Sequence, residues 1–505
     1  MMNRNKITML NAISAMLLTL VNGVLGIVVT KLVIEYFGSD FNGLNSTANQ
    51  IINVLLVIEG GFTLASNVVL FTPLSKENYN LVNNILYVTR KKFHMIGIMF
   101  AGMGLVVAVI YTLFINSDLN RRLIFSVIIM AVIPSAFNLF YATTYRVLIQ
   151  TMQKEYIINF SNLITIGLGH ISTIVMILVG GSVWMVRIIT MTFALINSVL
   201  IVIYTKKKCR YLDIKDNGLN VYIPGTRDVM IQKVTGIIYS AAPIVFLSIS
   251  PSGGTVLASV YAVYNNVFNM IKSVLRSIID APRLSIGQML TSNDRNAVWR
   301  IFCQYEYISI VAVFLTCTTS YVLVLPFISI YTNGITDANY YDALIALLMV
   351  LITVFEIIHI PSGHLINMAG EFRISMYFQS IACVALIVTM VIGGIYWGIY
   401  GLIVSVLVVA ILLAVFEIGY VHIVFFKKKI KEFIKIMLLY AVSGYLVVLF
   451  ENQWTSNVDS YAMFCIYGII LLILNLLVAF AIGIVFFRDI LSSCLLRCKN
   501  LVKRL

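Results

Sequence analysis

The chain has 505 residues, of which 60% are hydrophobic and 11% are charged, with a mean hydropathy of +0.96. A soluble protein of this composition would aggregate, so the sequence excludes a soluble globular protein and predicts a polytopic membrane protein. The net charge of +14 resides in short clusters beside apolar segments, such as residues 90–92, 206–208 and 427–429. Such clusters are typical of loops that face anionic lipid, and we expect no nucleic-acid partner.

Long apolar runs divide the chain into about fourteen predicted transmembrane helices, since a helix needs about 20 residues to cross a bilayer. Their continuity favours an all-α protein over a barrel, whose strands alternate over about ten residues. The predicted spans cover residues 10–36, 44–73, 93–116, 122–148, 156–180, 183–205, 230–250, 255–279, 302–332, 341–367, 374–397, 399–426, 432–450 and 461–487.

The lysines and arginines fall almost entirely in alternate connections between these spans. Short loops rich in such residues stay on the cytoplasmic side, so both termini are predicted to be cytoplasmic. The first apolar run is too long for a signal-peptide core, and we expect it to remain as the first helix. The predicted external loops are short, which leaves no room for an external domain.

The longest cytoplasmic connection, residues 206–229, is basic and predicts a linker between two six-helix lobes. The lobes are residues 1–205 and 230–426. Residues 427–505 then form two appended helices, the thirteenth and fourteenth, with a basic cytoplasmic tail.

A weak internal repeat supports the two lobes. At one constant offset, Asn49 aligns with Asn265 and Asn53 with Asn269, in corresponding spans of the two halves. Two lobes repeated in the same orientation occur in several transporter folds.

The sequence contains no phosphate-binding loop and no paired cysteines or histidines at metal-ligand spacing. We therefore predict no ATP hydrolysis, no metal and no cofactor. The informative residues are the ionisable ones inside the spans, because each is costly there unless it faces protein or water.

Five cations are candidate ligands for a phosphate or pyrophosphate head group. Lys31 and Lys272 lie deepest in their spans. Arg146, Arg187 and Arg276 lie near span ends, where snorkelling to the nearest interface is an equal or better explanation. On a shared central cavity, these side chains would form a cationic pathway that binds phosphate through charge-assisted hydrogen bonds.

Three further residues are candidates for proton or ion coupling, or for gating. Glu59 lies at the middle of span 2, where a carboxylate would bind a proton or seek a cation. Glu356 and His359 are three residues apart on one face of span 10, beside Pro361. The alternatives are a structural carboxyl for Glu59 and a satisfied polar pair between helices for the other two.

Four segments resemble bacterial polysaccharide flippases (Wzx-type, for O-antigen or capsule repeat units) of the multidrug/oligosaccharidyl-lipid/polysaccharide exporter superfamily. Together with the span count and loop charges, the resemblance covers essentially the whole chain. The segments are YFGSDFNGLNS at 36–46, EGG at 59–61 through PLSKEN at 73–78, YR at 145–146 through QK at 153–154, and VYAVY at 260–264.

The resemblance implies an alternating-access fold of twelve core helices plus two. It also implies a substrate, an undecaprenyl-pyrophosphate-linked oligosaccharide repeat unit that moves from the inner to the outer leaflet of a bacterial plasma membrane. Arg146 and Glu59 lie in the matching segments, whereas Lys31, Arg187, Lys272 and Arg276 rest on their depth alone. The implied partners are membrane lipids and the glycosyltransferases and polymerase of the same polysaccharide.

Three alternatives stay open. A lipid II flippase would share the fold and the charge pattern. A drug/cation antiporter of the same superfamily would be expected to carry an acidic residue deep in the first lobe, and span 1 has none at its centre. A membrane-embedded polymerase or ligase acting on lipid-linked sugars would need a sizeable external loop, which the chain lacks.

Overall fold

A computed structural model describes residues 4–59, 61–215, 227–250, 254–280, 295–455 and 458–494, and the regular secondary structure of this part of the chain is all helical. A 3-10 turn (Leu56–Glu59) and two π turns (Asn138–Ala142 and Tyr420–Phe425) interrupt the α-helices. In chain order the helices are α1 (Arg4–Leu55), α2 (Phe62–Ser75), α3 (Tyr79–Phe114), α4 (Arg121–Phe137), α5 (Thr143–Thr151), α6 (Glu155–Leu178), α7 (Val183–Lys208), α8 (Arg227–Ile249), α9 (Gly254–Asp280), α10 (Arg295–Tyr331), α11 (Ala343–Ile358), α12 (Ile360–Met368), α13 (Phe372–Gly419), α14 (Lys431–Glu451) and α15 (Tyr461–Phe486).

Eleven segments of the described chain are long and apolar enough to cross a membrane. Two of them hold two crossings each, because the backbone leaves the helical conformation at Gly38 (φ 87°) in α1 and at Gly398 (φ 55°) in α13. Positive φ favours glycine, which has no Cβ to clash. The 27-residue α9 adds another crossing. The predicted all-α, polytopic fold with about fourteen crossings is confirmed.

The turn at Gly38 reverses the direction of the chain. Before it, Asn11 donates through Nδ2 to the carbonyl oxygen of Gln153 at 2.8 Å. After it, Asn67 accepts at Oδ1 from Thr151 Oγ1 at 3.0 Å. Because Thr151 and Gln153 are close in sequence, the chain at Asn67 has returned to the same end of unit 1 (Met1–Ser259) as Asn11.

The chain packs as two compact units, which we call unit 1 (Met1–Ser259) and unit 2 (Val260–Leu505). In unit 1, α1 packs against α4, α6 and α8, α3 packs against α4, and α7 packs against α4 and α6. In unit 2, α10 packs against α11, α14 and α15, and α13 packs against α11 and α12.

The division into units differs from the predicted lobes. The helix α8, which the sequence analysis assigned to the second lobe, packs against α1. The lobes at 1–205 and 230–426 stay a prediction, since packing in one conformation does not define which helices move together. Residues 216–226 of the predicted linker and 495–505 of the predicted tail lie outside the described residues.

Large apolar side chains cover the outer faces of many helices. Leu113, Trp397 and Val485, for example, are each more than half exposed. Apolar exposure on this scale would make a soluble protein aggregate, whereas it matches the hydrocarbon interior of a bilayer. The chain is therefore a multi-pass membrane protein.

Candidate functional site

A cavity of about 320 Å³ lies within unit 1, between the α4–α5 segment, α6 and α7. Its described lining includes no aspartate or glutamate. The lining side chains that can hydrogen-bond include Ser135, Asn138, Arg146, Asn162, Thr165 and Asn197.

A distortion of the fourth span brings Arg146 to this cavity. Pro134 lies inside α4, where its ring cannot donate a helical hydrogen bond. Three residues further on, α4 gives way to the π turn Asn138–Ala142, and α5 begins at Thr143. A π turn takes an extra residue, so it changes the direction in which the following side chains point.

Arg146 is held by a network of uncharged side chains. Its Nη2 donates to Asn197 Oδ1 at 2.6 Å. The amide of Asn197 in turn donates to Asn162 Oδ1 at 2.8 Å and to Thr165 Oγ1 at 2.7 Å. Arg146 Nε is buried and donates to no group in the described chain. A guanidinium that no carboxylate of the surrounding lining neutralises is suited to binding an anion such as phosphate.

Arg187 has a different environment from Arg146. It is 8% exposed, and its Nη1 donates to Asn45 Oδ1 while its Nη2 donates to the carbonyl oxygen of Val127 at 3.2 Å. These bonds join α7 to α1 and α4, and Arg187 does not line the cavity. The side chain is therefore buried between helices and does not extend to the membrane interface.

Lys31 and Arg276 also lie outside the cavity lining. Lys31 is partly buried on α1, and Arg276 is exposed on α9. The convergence of all five candidate cations on one central cavity, and the head-group role of each, stay predictions.

Lys272 and Glu356 form an ion pair within unit 2. Lys272 Nζ on α9 lies 3.1 Å from Glu356 Oε2 on α11, and the two side chains are 12% and 11% exposed. The sequence analysis assigned the lysine to head-group binding and the glutamate to coupling. The structure brings these two candidates into one ion pair, and both roles stay predictions.

His359 pairs with a residue to which the sequence analysis gave no role. Its Nδ1 lies 2.7 Å from Glu417 Oε2 on α13. His359 separates α11 from α12, and Pro361 follows in the first turn of α12. Gly363, one helical turn on, leaves the carboxylate its space, since a Cβ there would lie 2.6 Å from Glu417 Oε2.

Two more acid–histidine pairs lie in unit 2. His364 Nε2 lies 3.3 Å from Asp280 Oδ1, and His364 Nδ1 lies 2.9 Å from the Tyr305 hydroxyl. His422 Nε2 lies 3.0 Å from Glu306 Oε1 in a fully buried pair. Unit 2 thus carries several buried or partly buried groups that can exchange protons, each with a partner on another helix.

Glu59 is held locally. It ends the 3-10 turn Leu56–Glu59, and Thr63 Oγ1 donates to its Oε1. Gly61 follows with φ 75°, which separates the turn from α2. This arrangement fits the structural alternative, and a coupling role for Glu59 stays a prediction.

The residues that orient Arg146 were missed because the sequence analysis considered only ionisable side chains. Asn162 and Thr165 are three residues apart on one face of α6, and Asn197 faces them from α7. Uncharged polar residues inside apolar helices often bond across helices, so their spacing was a usable signal. Among the described residues, no group of histidine, cysteine and acidic side chains could hold a metal ion.

No protein-family model matches the sequence. No curated protein matches it either. Three solved structures similar to this chain are a lipid II flippase and two conformations of a multidrug transporter. The lipid II flippase MurJ, in an inward closed conformation, has a TM-score of 0.63 and 14% identity, and the match covers 96% of this chain and 100% of that chain.

The multidrug resistance MATE family transporter of the MOP superfamily matches in its inward-facing conformation with a TM-score of 0.61 and 12% identity, over 79% of this chain and 92% of that chain. Its outward-facing conformation has a TM-score of 0.58 and 12% identity, over 82% of this chain and 93% of that chain. At such low identity the likeness shows the fold alone. The chain therefore has the fold of MOP superfamily transporters.

Proposed function

We propose that the chain is a flippase for undecaprenyl-pyrophosphate-linked oligosaccharide repeat units, which it moves from the inner to the outer leaflet of a bacterial plasma membrane by alternating access. The observation that carries the proposal is Arg146, a guanidinium in a cavity whose described lining holds no carboxylate. The resemblance of four sequence segments to polysaccharide flippases and the transporter fold support it. The chain then acts as a transporter in assembling a surface polysaccharide, and not as an enzyme.

The cavity would take the diphosphate of the substrate. Arg146 would donate from its remaining Nη N–H groups to phosphoryl oxygens, while Asn197 keeps the guanidinium plane fixed. A volume of about 320 Å³ suits a head group and is too small for a whole oligosaccharide as well. The sugars would lie outside this cavity during transport.

The pairs of unit 2 would couple transport to protons. Lys272 can neutralise either Glu356 or a phosphate, but a single ammonium cannot neutralise both charges fully. Protonation of Glu356 would free Lys272 to bind an anion within unit 2, and His359 with Glu417 would exchange a proton on the same helix as Glu356. In this scheme the head-group cation and the coupling acid act as one switch.

A lipid II flippase is the second candidate, because the match to MurJ covers 96% of this chain and includes nearly all of that protein's length. A drug/cation antiporter fits less well, since Arg146 would repel a cationic drug from the unit 1 cavity. A polymerase or ligase fits less well too, because the matched solved structures are of transporters.

Genetic replacement separates these functions. The gene is expressed in three bacterial strains, which lack a repeat-unit flippase, a lipid II flippase or a drug exporter. Restored surface polysaccharide in the first strain, lost again with Arg146→Ala, is the expected result. Growth restored only in the second strain would assign lipid II, and drug resistance restored only in the third would overturn the flippase proposal.

A further inference from the structure

A buried carboxyl connects the two appended helices to the interior of unit 2. Glu451, the last residue of α14, is 2% exposed, and its Oε1 accepts from Asn475 Nδ2 on α15 at 3.0 Å. The same Nδ2 donates to Thr319 Oγ1 on α10 at 3.1 Å. One amide group thus joins α10, α14 and α15.

Two oxygen atoms of this contact accept no hydrogen bond from the described chain. Glu451 Oε2 and Asn475 Oδ1 are both buried, and neither has a hydrogen-bond partner in the described chain. Both are acceptors when Glu451 is ionised, so they cannot bond to each other in that state. The Asn475 amide and the Glu451 carboxyl are already hydrogen-bonded to each other through Nδ2 and Oε1. Each of these two groups therefore carries one oxygen atom without a partner in the described chain.

No positive charge within the described residues compensates this carboxyl. Glu451 makes none of the ion pairs formed by described side chains. An apolar cluster of Val322, Leu323 and Leu471 lies one turn from the contact, on α10 and α15. Within about two helical turns of the contact along each helix, the titratable side chains are Cys317 and Tyr321 on α10, Tyr445 on α14 and Tyr467 on α15, and none of these is a cation.

An ionised carboxylate in such surroundings carries a large desolvation cost. A single proton on Oε2 removes that charge and also turns this atom into a donor. The hydroxyl can then donate to Asn475 Oδ1 while Oε1 accepts from Nδ2, which closes a cyclic carboxyl–amide pair. One proton satisfies both unpartnered atoms.

We propose that Glu451 is a proton-binding site, and that its proton stabilises the packing of α14 and α15 against α10. The site is independent of the substrate cavity in unit 1 and does not rest on the proposed function. The docked arrangement holds the proton, whereas a Glu451 exposed to water would release it at neutral pH. Raising the pH therefore favours separation of the appended helices from α10.

Infrared spectroscopy of the purified full chain in lipid nanodiscs tests the site. A difference spectrum between low and high pH reports the C=O stretch of neutral carboxylic acids. We expect a band in the wild type that is absent from Glu451→Gln and unchanged in Glu432→Gln, which alters an exposed carboxyl at the other end of α14. A Glu451→Gln spectrum identical to that of the wild type would overturn the proposal.

Melting temperature gives a second readout. The amide of Glu451→Gln can donate where the proposed proton does, so this variant should keep its low-pH melting temperature as the pH rises while that of the wild type falls. If Glu451→Gln does not fold, Asn475→Leu replaces it, and the carboxyl band should shift because its partner is lost. An unshifted band would contradict the proposal, as would stability that depends on sodium ions and not on pH.

Discussion

The ammonium of Lys272 lies 3.1 Å from the carboxylate of Glu356, on two neighbouring helices of unit 2. Both side chains are nearly buried, so the state of each charge depends on the other. In the proposed function, phosphate binding by Lys272 and protonation of Glu356 would be linked events.

Glu356→Gln should destabilise the protein by about 3–5 kcal/mol, because it leaves the nearly buried ammonium of Lys272 without its counter-charge. Replacing both residues by apolar ones, Lys272→Met with Glu356→Leu, should restore most of the lost stability. The measurement is the free energy of unfolding in mixed micelles. A double variant as unstable as the single one would contradict the pairing.

The exposed pair Lys215–Asp213 supplies the control for that experiment. Its side chains are 75% and 66% exposed, and Lys215→Ala should change the stability by less than about 1 kcal/mol. The double variant Lys272→Met with Glu356→Leu also tests the proposed coupling of transport to protons, since it should no longer transport substrate. Normal transport by that variant would remove both residues from the mechanism.

Gly363→Ala should break the His359–Glu417 pair and leave the fold intact. The new Cβ would lie 2.6 Å from Glu417 Oε2, at the far end of a side chain that can move away. The lost hydrogen bond to the Glu417 carboxylate, worth about 1.5–3 kcal/mol, would separate His359 from its acidic partner. The dependence of transport on an imposed pH gradient should therefore become much weaker.

Gly419→Ala is the matched control, because no atom lies within 4 Å of a Cβ at that position, two residues from Glu417. It should keep the wild-type response to the pH gradient. The same response from Gly363→Ala would exclude the pair from proton coupling.

Asn197→Asp should weaken head-group binding without unfolding the protein. The new carboxylate would sit at the Arg146 guanidinium, where the amide oxygen now lies 2.6 Å away, and would cancel the positive charge of the cavity. Affinity for a pyrophosphate lipid should fall by about tenfold or more. Binding is measured by the change in fluorescence of a labelled lipid.

Asn159→Asp controls for the added charge. Asn159 lies on α6, hydrogen-bonds to Ser14 and does not line the cavity. It should bind the lipid as the wild type does. Equal binding by Asn197→Asp would contradict a phosphate site at Arg146.

Arg187→Lys should lower stability and leave lipid binding unchanged in the folded protein. A lysine cannot replace the planar guanidinium that donates to both Asn45 and Val127, so at least one bond, worth about 1.5–3 kcal/mol, is lost. Arg122→Lys, at an exposed position of α4, is the control. A loss of lipid affinity in Arg187→Lys without a loss of stability would instead place Arg187 in the head-group site.

Hydropathy and loop charge sufficed to predict the helical architecture, because span length and apolar composition are local properties of the sequence. The turns at Gly38 and Gly398 lie at or next to predicted span boundaries for the same reason. The partners of the buried charges could not be predicted. Whether His359 meets Glu417 depends on how two helices face each other, and neither residue alone encodes that.

The candidate site was predicted only in part. Arg146 was identified by its charge, but its neighbours Asn162 and Asn197 were not, since only ionisable side chains were considered. Arg187 has the same charge as Arg146 and similar depth near a span end, yet it is held between helices by Asn45 and Val127. Composition and depth do not distinguish the two arginines.

Transport by purified protein tests the central claim most directly. The chain is reconstituted in vesicles with an undecaprenyl-pyrophosphate lipid bearing a fluorescent sugar, and the rate at which the label crosses the bilayer is measured for the wild type, Arg146→Gln and Arg122→Gln. We predict that the wild type and Arg122→Gln move the lipid, and that Arg146→Gln is at least about tenfold slower, since it loses charge-assisted bonds to the diphosphate. Wild-type rates from a correctly folded Arg146→Gln protein would contradict the account.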